Sequence, residues 1–345
     1  MNIDKKIKIT ELAKKIGVST SSVSRALNNH KNISKKTKDK INKAAQKYNY
    51  FPNLNAKRLA SKKPDTIAFL TSLDPHAQDY VLMEFLSGLT KAIKDKPTEL
   101  IVKFFSDEKT ELVYYKKLVE LNIADKFVFY RTKKKDKRIK FLKKNKINFV
   151  SWGRSSNEKN YAWIDMDNEK SINMLMQRLY DFGHKNIALI NAHQSYNYGY
   201  QRKIAFEKFH KINKLKFDER NYIDSLDSST LSGINLTKKL LSKKNRPTAI
   251  ICSTDKFFIG CLHECQIRGF NLGKDISVVG YNDHDNYLSS QNLTFISHPL
   301  SKMGEASVKM LAAVKMLEDI ENGVSPEDTS KLIEPILNKG KSDGK

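Results

Sequence analysis

Residues 19–25 read Ser-Thr-Ser-Ser-Val-Ser-Arg and place five hydroxyls and one guanidinium within seven positions. Such groups make and break no covalent bonds here; they donate and accept hydrogen bonds. On a helix capped by Ser19, Val23, Ala26 and Leu27 face inward, while Thr20, Ser21 and Arg25 face outward. Arg25 carries a fork of donors that matches two acceptors on the major-groove edge of guanine, worth about 1–3 kcal/mol of discrimination. The hydroxyls of Ser19, Ser22 and Ser24, with the amide of Asn28, suit phosphate oxygens, which fix register without reading sequence.

The flanking residues supply the frame such a helix needs. Ile9, Leu12, Ala13 and Ile16 recur at helical spacing and Gly17 supplies a left-handed stop. Ser34 can cap a third helix carrying Ile41, Ala44, Ala45 and Tyr48 on one face, and Phe51-Pro52-Asn53 ends it. Helix, glycine turn and capped helix form the pattern of a helix-turn-helix, whose second helix enters the major groove; a small helical bundle with a serine-rich start is the alternative. Charge bears on the choice. Residues 1–63 hold seventeen Lys and Arg against three Asp and Glu, more than half of the chain's net +24 in under a fifth of its length. That asymmetry suits a polyanionic partner, although the rest of the chain is also lysine-rich.

After Pro64 the pattern changes. Apolar runs at 66–70, 100–104, 126–129, 149–152, 186–190, 249–252 and 276–279 alternate with amphipathic stretches of helical length. This predicts βαβ units and parallel sheets. The strand and helix at 66–70 and 80–94 are echoed at 186–190 and 199–211, as two similar doubly wound lobes would require. Ligands of such sheets bind beyond the carboxyl ends of the strands, where loops 71–78 and 191–198 fall.

Other chemistries find little support. Cys252, Cys261 and Cys265 are an odd set that reads as free thiols. On a helix, positions 261 and 265 share a face and His263 points away, so neither a metal nor a cofactor is expected. There is no G-x-S-x-G elbow, and Gly269–Lys274 lacks the spacing of a phosphate-binding loop. The start lacks a signal peptide's apolar stretch and no run suits a membrane span, so the chain is expected in the cytoplasm. A solute-binding protein would share the lobes without the basic head. A nucleoid protein would explain the charge without the lobes, and a sugar-active enzyme is the remaining rival. Trp152 and Trp163 are expected to pack in the core, with a sugar platform as the alternative. The run Lys133-Lys134-Lys135 with Lys137 and Arg138 is expected to be a solvated loop and helix start.

Ile9-Thr10-Glu11-Leu12-Ala13 through Gly17-Val18-Ser19, with Val23-Ser24-Arg25-Ala26-Leu27-Asn28, resembles the DNA-binding head of the lactose/galactose repressor (LacI/GalR) family. Tyr50-Phe51-Pro52-Asn53 followed by Ala56-Lys57-Arg58-Leu59 resembles that family's hinge helix. The resemblance continues through Asp165-Met166-Asp167-Asn168, Gly183-His184-Lys185-Asn186-Ile187-Ala188, Pro247-Thr248-Ala249-Ile250 and Asp275–Asp283, and on to Leu293-Thr294, Pro299 and Gly304. It implies an α/β chain in which a three-helix head (1–51) and a hinge helix (52–63) precede a two-lobed, periplasmic-binding-protein-like core of doubly wound parallel sheets (64–345). Lobe one would comprise about 64–164 and 295–323, and lobe two about 165–294 and 324–345.

The family's paired hinges enter the minor groove, where Leu59 matches the wedging leucine and Ala56 the small residue on the groove floor; such a wedge kinks the duplex. Asn55 departs from the family's usual apolar residue at the hinge contact. Arg202 matches the ligand-binding arginine, and Asn282, Asp255, Ser72 and His298 match cleft-lining positions. For Asp255 a helix cap is the alternative, and for His298 a structural hydrogen bond. Thr254 stands where many members carry an asparagine. Implied partners are double-stranded operator DNA, a second copy of the chain and a small effector, by default a sugar that relieves repression; a nucleobase or a phosphoprotein corepressor is the alternative.

Overall fold

The structure, a computed structural model, describes residues 7–27, 32–48, 50, 65–72, 80–281, 291–319 and 325–344. It divides into two compact units, 1–64 and 65–345. Asn28, the hinge segment with Asn55, Ala56 and Leu59, and Asn282 lie outside the described residues.

In the first unit, α1 (Ile9–Ile16) ends on Gly17 at φ 69°, where the absence of a Cβ makes the left-handed turn accessible. The second helix, α2 (Thr20–Leu27), starts at Ser19, whose Oγ accepts from the Ser22 N–H at 3.1 Å. Ser34 likewise caps α3 (Lys35–Lys47). Leu12, Ala13, Val23, Ala26, Ile41, Ala44 and Tyr50 meet in one small core.

The second unit contains two six-stranded sheets. The first runs β1 (Thr66–Ser72), α4 (Tyr80–Ile93), β2 (Glu99–Phe105), α5 (Glu108–Glu120), β3 (Lys126–Phe129), α6 (Lys137–Lys144), β4 (Asn148–Trp152) and β5 (Ala162–Met166). The second runs α7 (Asn168–Asp181), β6 (Ile187–Ala192), α8 (Asn197–Ile212), β7 (Tyr222–Ser225), α9 (Thr230–Leu241), β8 (Ala249–Cys252), α10 (Asp255–Ile267), β9 (Ser277–Tyr281) and β10 (Thr294–Ser297). The chain returns to the first lobe in α11 (Leu300–Asp319) and β11 (Lys331–Ile333), then ends in the second sheet with β12 (Ile336–Asn338). Strand orders are β11-β5-β4-β3-β1-β2 and β12-β10-β9-β8-β6-β7. All pairs are parallel except β10–β12. Buried strands such as β1 and β6 are apolar on both faces because helices cover both.

Two lobe boundaries differ from the sequence expectation. Residues 295–297, expected in lobe one, pair in the second sheet, and residues 331–333, expected in lobe two, pair in the first. Both strands are too short for their own pattern to reveal a partner, so only the ladder assigns them. On the first lobe α4 and α11 approach so closely that a Cβ on Gly304 would lie 2.2 Å from the Phe85 carbonyl oxygen. Trp152 is buried and stacks on Phe85 at 4.5 Å, so it belongs to the core. The half-buried Trp163 lies beneath the Arg154 guanidinium at 5.2 Å. Cys252, Cys261 and Cys265 are buried in the second lobe's core, and His263 is exposed. Burial raises the Cys261 thiol well above its usual range.

Candidate functional site

Helical geometry sorts the hydroxyls of α2. Val23 and Ala26 are buried, whereas Thr20, Ser21, Ser24 and Arg25 are exposed in one stripe at spacings of three and four. Ser24 therefore shares the face of the three expected base readers. Ser22 is half-buried, and the Ser19 hydroxyl lies 2.8 Å from that of Ser21 and 2.9 Å from that of Ser22, in addition to its capping bond.

In the core unit, Arg202 on α8 is buried. Its Nε donates to Asn168 Oδ1 at 3.0 Å and its Nη1 to the Ser253 carbonyl at 2.6 Å. The guanidinium lies 4.2 Å from the Tyr281 ring centroid and 5.2 Å from that of Tyr198. Tyr281 stacks in turn on His298, with centroids 6.1 Å apart and planes inclined by 22°. Burial, together with the Arg202 charge, pushes the His298 imidazole down to about 3, so the ring is neutral at physiological pH. Both of its buried nitrogens lack a hydrogen-bond partner among the described residues. A neutral imidazole offers one donor and one acceptor, and beside a guanidinium the pair can grip hydroxyls.

Asn168 and Tyr281 were not singled out from the sequence, although both lie in the motifs quoted above. Asn168 is the first residue of α7, just past the crossing between lobes. Its Nδ2 donates to the Met166 carbonyl and to Gln201 Oε1, each at 3.0 Å, so both ends of its amide are engaged. Asp255 is the first residue of α10, but the capping role belongs to Thr254, whose Oγ1 accepts from the Phe257 N–H at 3.2 Å. That corrects the capping alternative for Asp255.

Ser72 stands apart from Arg202. At the end of β1 its N–H donates to Glu111 Oε2 at 2.8 Å, and it lines a cavity of about 620 Å3 together with Arg131 and Tyr196. Behind this wall Arg138 is largely buried, pairing with Glu111 at 3.1 Å and Asp136 at 2.8 Å and donating to the carbonyls of Tyr130 and Arg131. Burial alone would raise the Asp136 carboxyl, but the Arg138 charge together with the hydrogen bonds from Arg138 and the Lys133 N–H holds the group below its usual range. The expectation that Arg138 is solvated is thus corrected. Its partner Glu111 is distant in sequence, and no local pattern marks it.

The lobes touch directly near the start of α8. The Asn197 N–H donates to the Thr132 carbonyl at 2.9 Å, Lys133 and Tyr196 form an antiparallel bridge, and the Lys134 ammonium sits 3.4 Å from the Tyr200 ring centroid. A larger cavity of about 1040 Å3 is lined mainly by residues of α7 and the end of α8, with Arg154 and Leu332, and by none of the expected effector residues.

A capped recognition helix in one unit and a two-lobed parallel-sheet core in the other define a class of DNA-binding sensor. Residues 8–53 match the bacterial regulatory proteins of the lacI family, and residues 176–342 match the periplasmic binding protein-like domain. The head thus carries a helix-turn-helix of the lacI type, and the chain is a helix-turn-helix transcription regulator. It is 24% identical to catabolite control protein A of Priestia megaterium, over 92% of this chain and 95% of that protein. It is 27% identical to the probable HTH-type transcriptional repressor ExuR of Bacillus subtilis, over 95% of each. A lac repressor dimer solved with operator and the anti-inducer ONPF superposes with a TM-score of 0.84 at 22% identity, covering 99% of this chain and all of that one. Among the described residues no helix is long and apolar enough to cross a membrane.

Proposed function

We propose that this regulator is a cytoplasmic repressor of carbohydrate-utilisation genes, and that a small polar effector of the sugar class, bound between the lobes, controls its grip on operator DNA. The observation that carries the effector reading is the Arg202–Tyr281–His298 stack: a buried guanidinium held by neutral acceptors, beside a neutral imidazole whose two nitrogens have no partner among the described residues. Buried polar groups of this kind need a partner. Adjacent hydroxyls of a sugar supply one. Asp255, Asn282 and Ser72 are proposed as further contacts.

On the DNA side, Thr20, Ser21 and Arg25 are proposed to read bases and Ser19, Ser22, Ser24 and Asn28 to meet phosphates. Leu59 and Ala56, with Asn55, are proposed to enter the minor groove. Two heads related by a two-fold axis require a roughly palindromic site. Exposed apolar side chains support a dimer: Val102 and Phe104 on edge strand β2, and Leu226 and Leu231 beside edge strand β7 at the corresponding end of the second sheet. The relative solved as a dimer on operator with an anti-inducer supports the same scheme. The effector can shift DNA affinity only as far as its own affinity differs between the two lobe arrangements.

The test is a mobility-shift titration against promoter fragments and scrambled duplex, with and without a panel of sugars. A two-fold-symmetric site, bound tightly by wild type and released by a sugar, is the expected result. Release that persists in Arg202→Ala would remove the arginine from the effector site.

A further inference from the structure

Helix α6 carries more positive charge than its place in the first lobe requires. Five of its eight residues are Lys or Arg. Ile139 and Leu142 are buried and Arg138 turns inward to Glu111 and Asp136, so the lysines are left on the outer face. Lys143 and Lys144 at its carboxyl end, and Lys146 just past it, are exposed. The Lys143 ammonium donates to the Lys159 carbonyl at 2.7 Å, which brings a fourth exposed lysine alongside.

Two described carboxylates nearby are already engaged. Glu158 faces Lys140 at 3.9 Å, and Glu327 accepts from the Asn160 N–H at 2.8 Å. Among the described residues, no ion pair engages Lys143, Lys144, Lys146 or Lys159. A helix end is stabilised by a cation in its last turn, but lysines three and four apart repel. Four together favour a polyanion. A cavity of about 460 Å3 beside them is lined by Lys143 and Lys146, by the amides of Asn148 and Asn160, and by Phe149 and Tyr161. Ammonium and amide groups donate to phosphate oxygens without reading sequence.

The place of this cluster in the sheet indicates which polyanion it meets. Ile67, Lys126 and Asn148 stand side by side on β1, β3 and β4. Neighbouring strands lie about 4.8 Å apart, so Asn148 is about 10 Å from β1. Lys126, between them, is neutralised by Asp65 at 2.5 Å and Asp125 at 3.5 Å. The chain enters β1 almost directly from residue 64, the last residue of the DNA-binding unit. Duplex held by that unit is therefore tethered, through the chain itself, to the end of the sheet where the lysines gather.

We propose that Lys143, Lys144, Lys146 and Lys159 form a second DNA contact, on the core, that grips backbone phosphates of the duplex flanking the operator. The inference rests on the reading of the head as the operator reader and adds a sequence-independent grip outside it.

The test uses the full-length protein and an operator that wild type selects from a pool of random duplexes. That operator is embedded in duplexes of about 20 and about 40 base pairs, or two and four helical turns. Fluorescence anisotropy reads binding at several salt concentrations. The patch variant is Lys143→Gln/Lys144→Gln/Lys146→Asn/Lys159→Gln, where asparagine suits the left-handed backbone of position 146, at φ 51°. The charge-matched control is Lys185→Gln/Lys211→Gln/Lys216→Gln/Lys244→Gln, four exposed lysines of the second lobe. Wild type is expected to bind the longer duplex about tenfold more tightly, with a salt slope steeper by up to about 3–4 per protomer. The patch variant loses both gains, keeps wild-type affinity for the short duplex and melts like wild type. The control behaves as wild type.

A patch variant with the wild-type length preference and salt slope overturns the inference. An equal loss in the control, which would reflect net charge rather than place, also overturns it, as does an equal loss on the short duplex. Capture of wild type by phosphatidylglycerol vesicles, lost in the patch variant while its DNA binding is unchanged, assigns the lysines to a lipid surface and overturns it too. An operator gripped without any length preference removes only the second contact. Failure of wild type to select any duplex removes the reading of the head itself.

Discussion

Arg202 and Asn168 are joined by a 3.0 Å hydrogen bond that ties the second turn of α8 to the residue where the chain enters the second lobe. The guanidinium is thereby fixed to the residue that follows the crossing between the lobes. The contact gives a concrete route by which a ligand on Arg202 could bias the lobe arrangement.

Asn168→Ala tests this coupling. It leaves the Arg202 Nε without its acceptor in a buried site, a cost of about 1–3 kcal/mol. We expect weaker effector binding with unchanged operator affinity in the absence of effector. Asn168→Asp restores the acceptor and should recover most of the response. Paired effector and operator titrations on the two variants decide it; equal effector affinity in Asn168→Ala and wild type would reduce the contact to packing.

Arg25→Ala should lose about 1–3 kcal/mol of preference for one base pair while keeping most of its affinity for non-specific duplex. Substituting a phosphate-contacting lysine of the head should instead weaken all duplexes alike and lower the salt slope. Binding to a set of operators with single base changes, at two salt concentrations, separates the two patterns.

His298 sets a pH dependence. Its folded value of about 3 lies below the ordinary 6.5, so the unfolded chain binds the extra proton between those values. Stability is complete above pH 6.5 and declines as pH falls toward 3, by about 2 kcal/mol between pH 7 and pH 5. Urea unfolding at pH 7, 6 and 5 should show this loss, and His298→Gln should flatten it. An equal slope in both proteins would mean the loss arises at other groups.

Gly304→Ala forces a methyl group onto the Phe85 carbonyl, where the ideal Cβ position is only 2.2 Å from the oxygen. Backbone on both sides leaves no flexible side chain to yield, so a loss of about 1–3 kcal/mol or more is expected. Thermal melting of the core reads it directly; a melting temperature equal to wild type would show that α4 and α11 can separate without cost.

The head was legible because its determinants are local. Gly17 at the turn, Ser19 and Ser34 as caps, and Val23 and Ala26 at helical spacing lie within a few residues of the elements they specify. The alternating apolar runs of the core were legible for the same reason. Short strands such as β5, β7, β10 and β11 were not, because a few residues of mixed polarity take their conformation from a ladder partner far along the chain.

Composition and local pattern alone determined that a small, basic helical head precedes a core of alternating strands and helices, since charge, helical period and strand alternation operate over a few residues. Tertiary structure alone decided that Glu111, Asp136 and Arg138 build one buried wall, that Thr254 rather than Asp255 caps its helix, and that Asn168 holds Arg202 beside Tyr281 and His298. The longest of those contacts, between Arg202 and Tyr281, joins residues 79 positions apart. Their strength depends on distance and burial in three dimensions, and neither quantity leaves a mark on neighbouring letters of the chain.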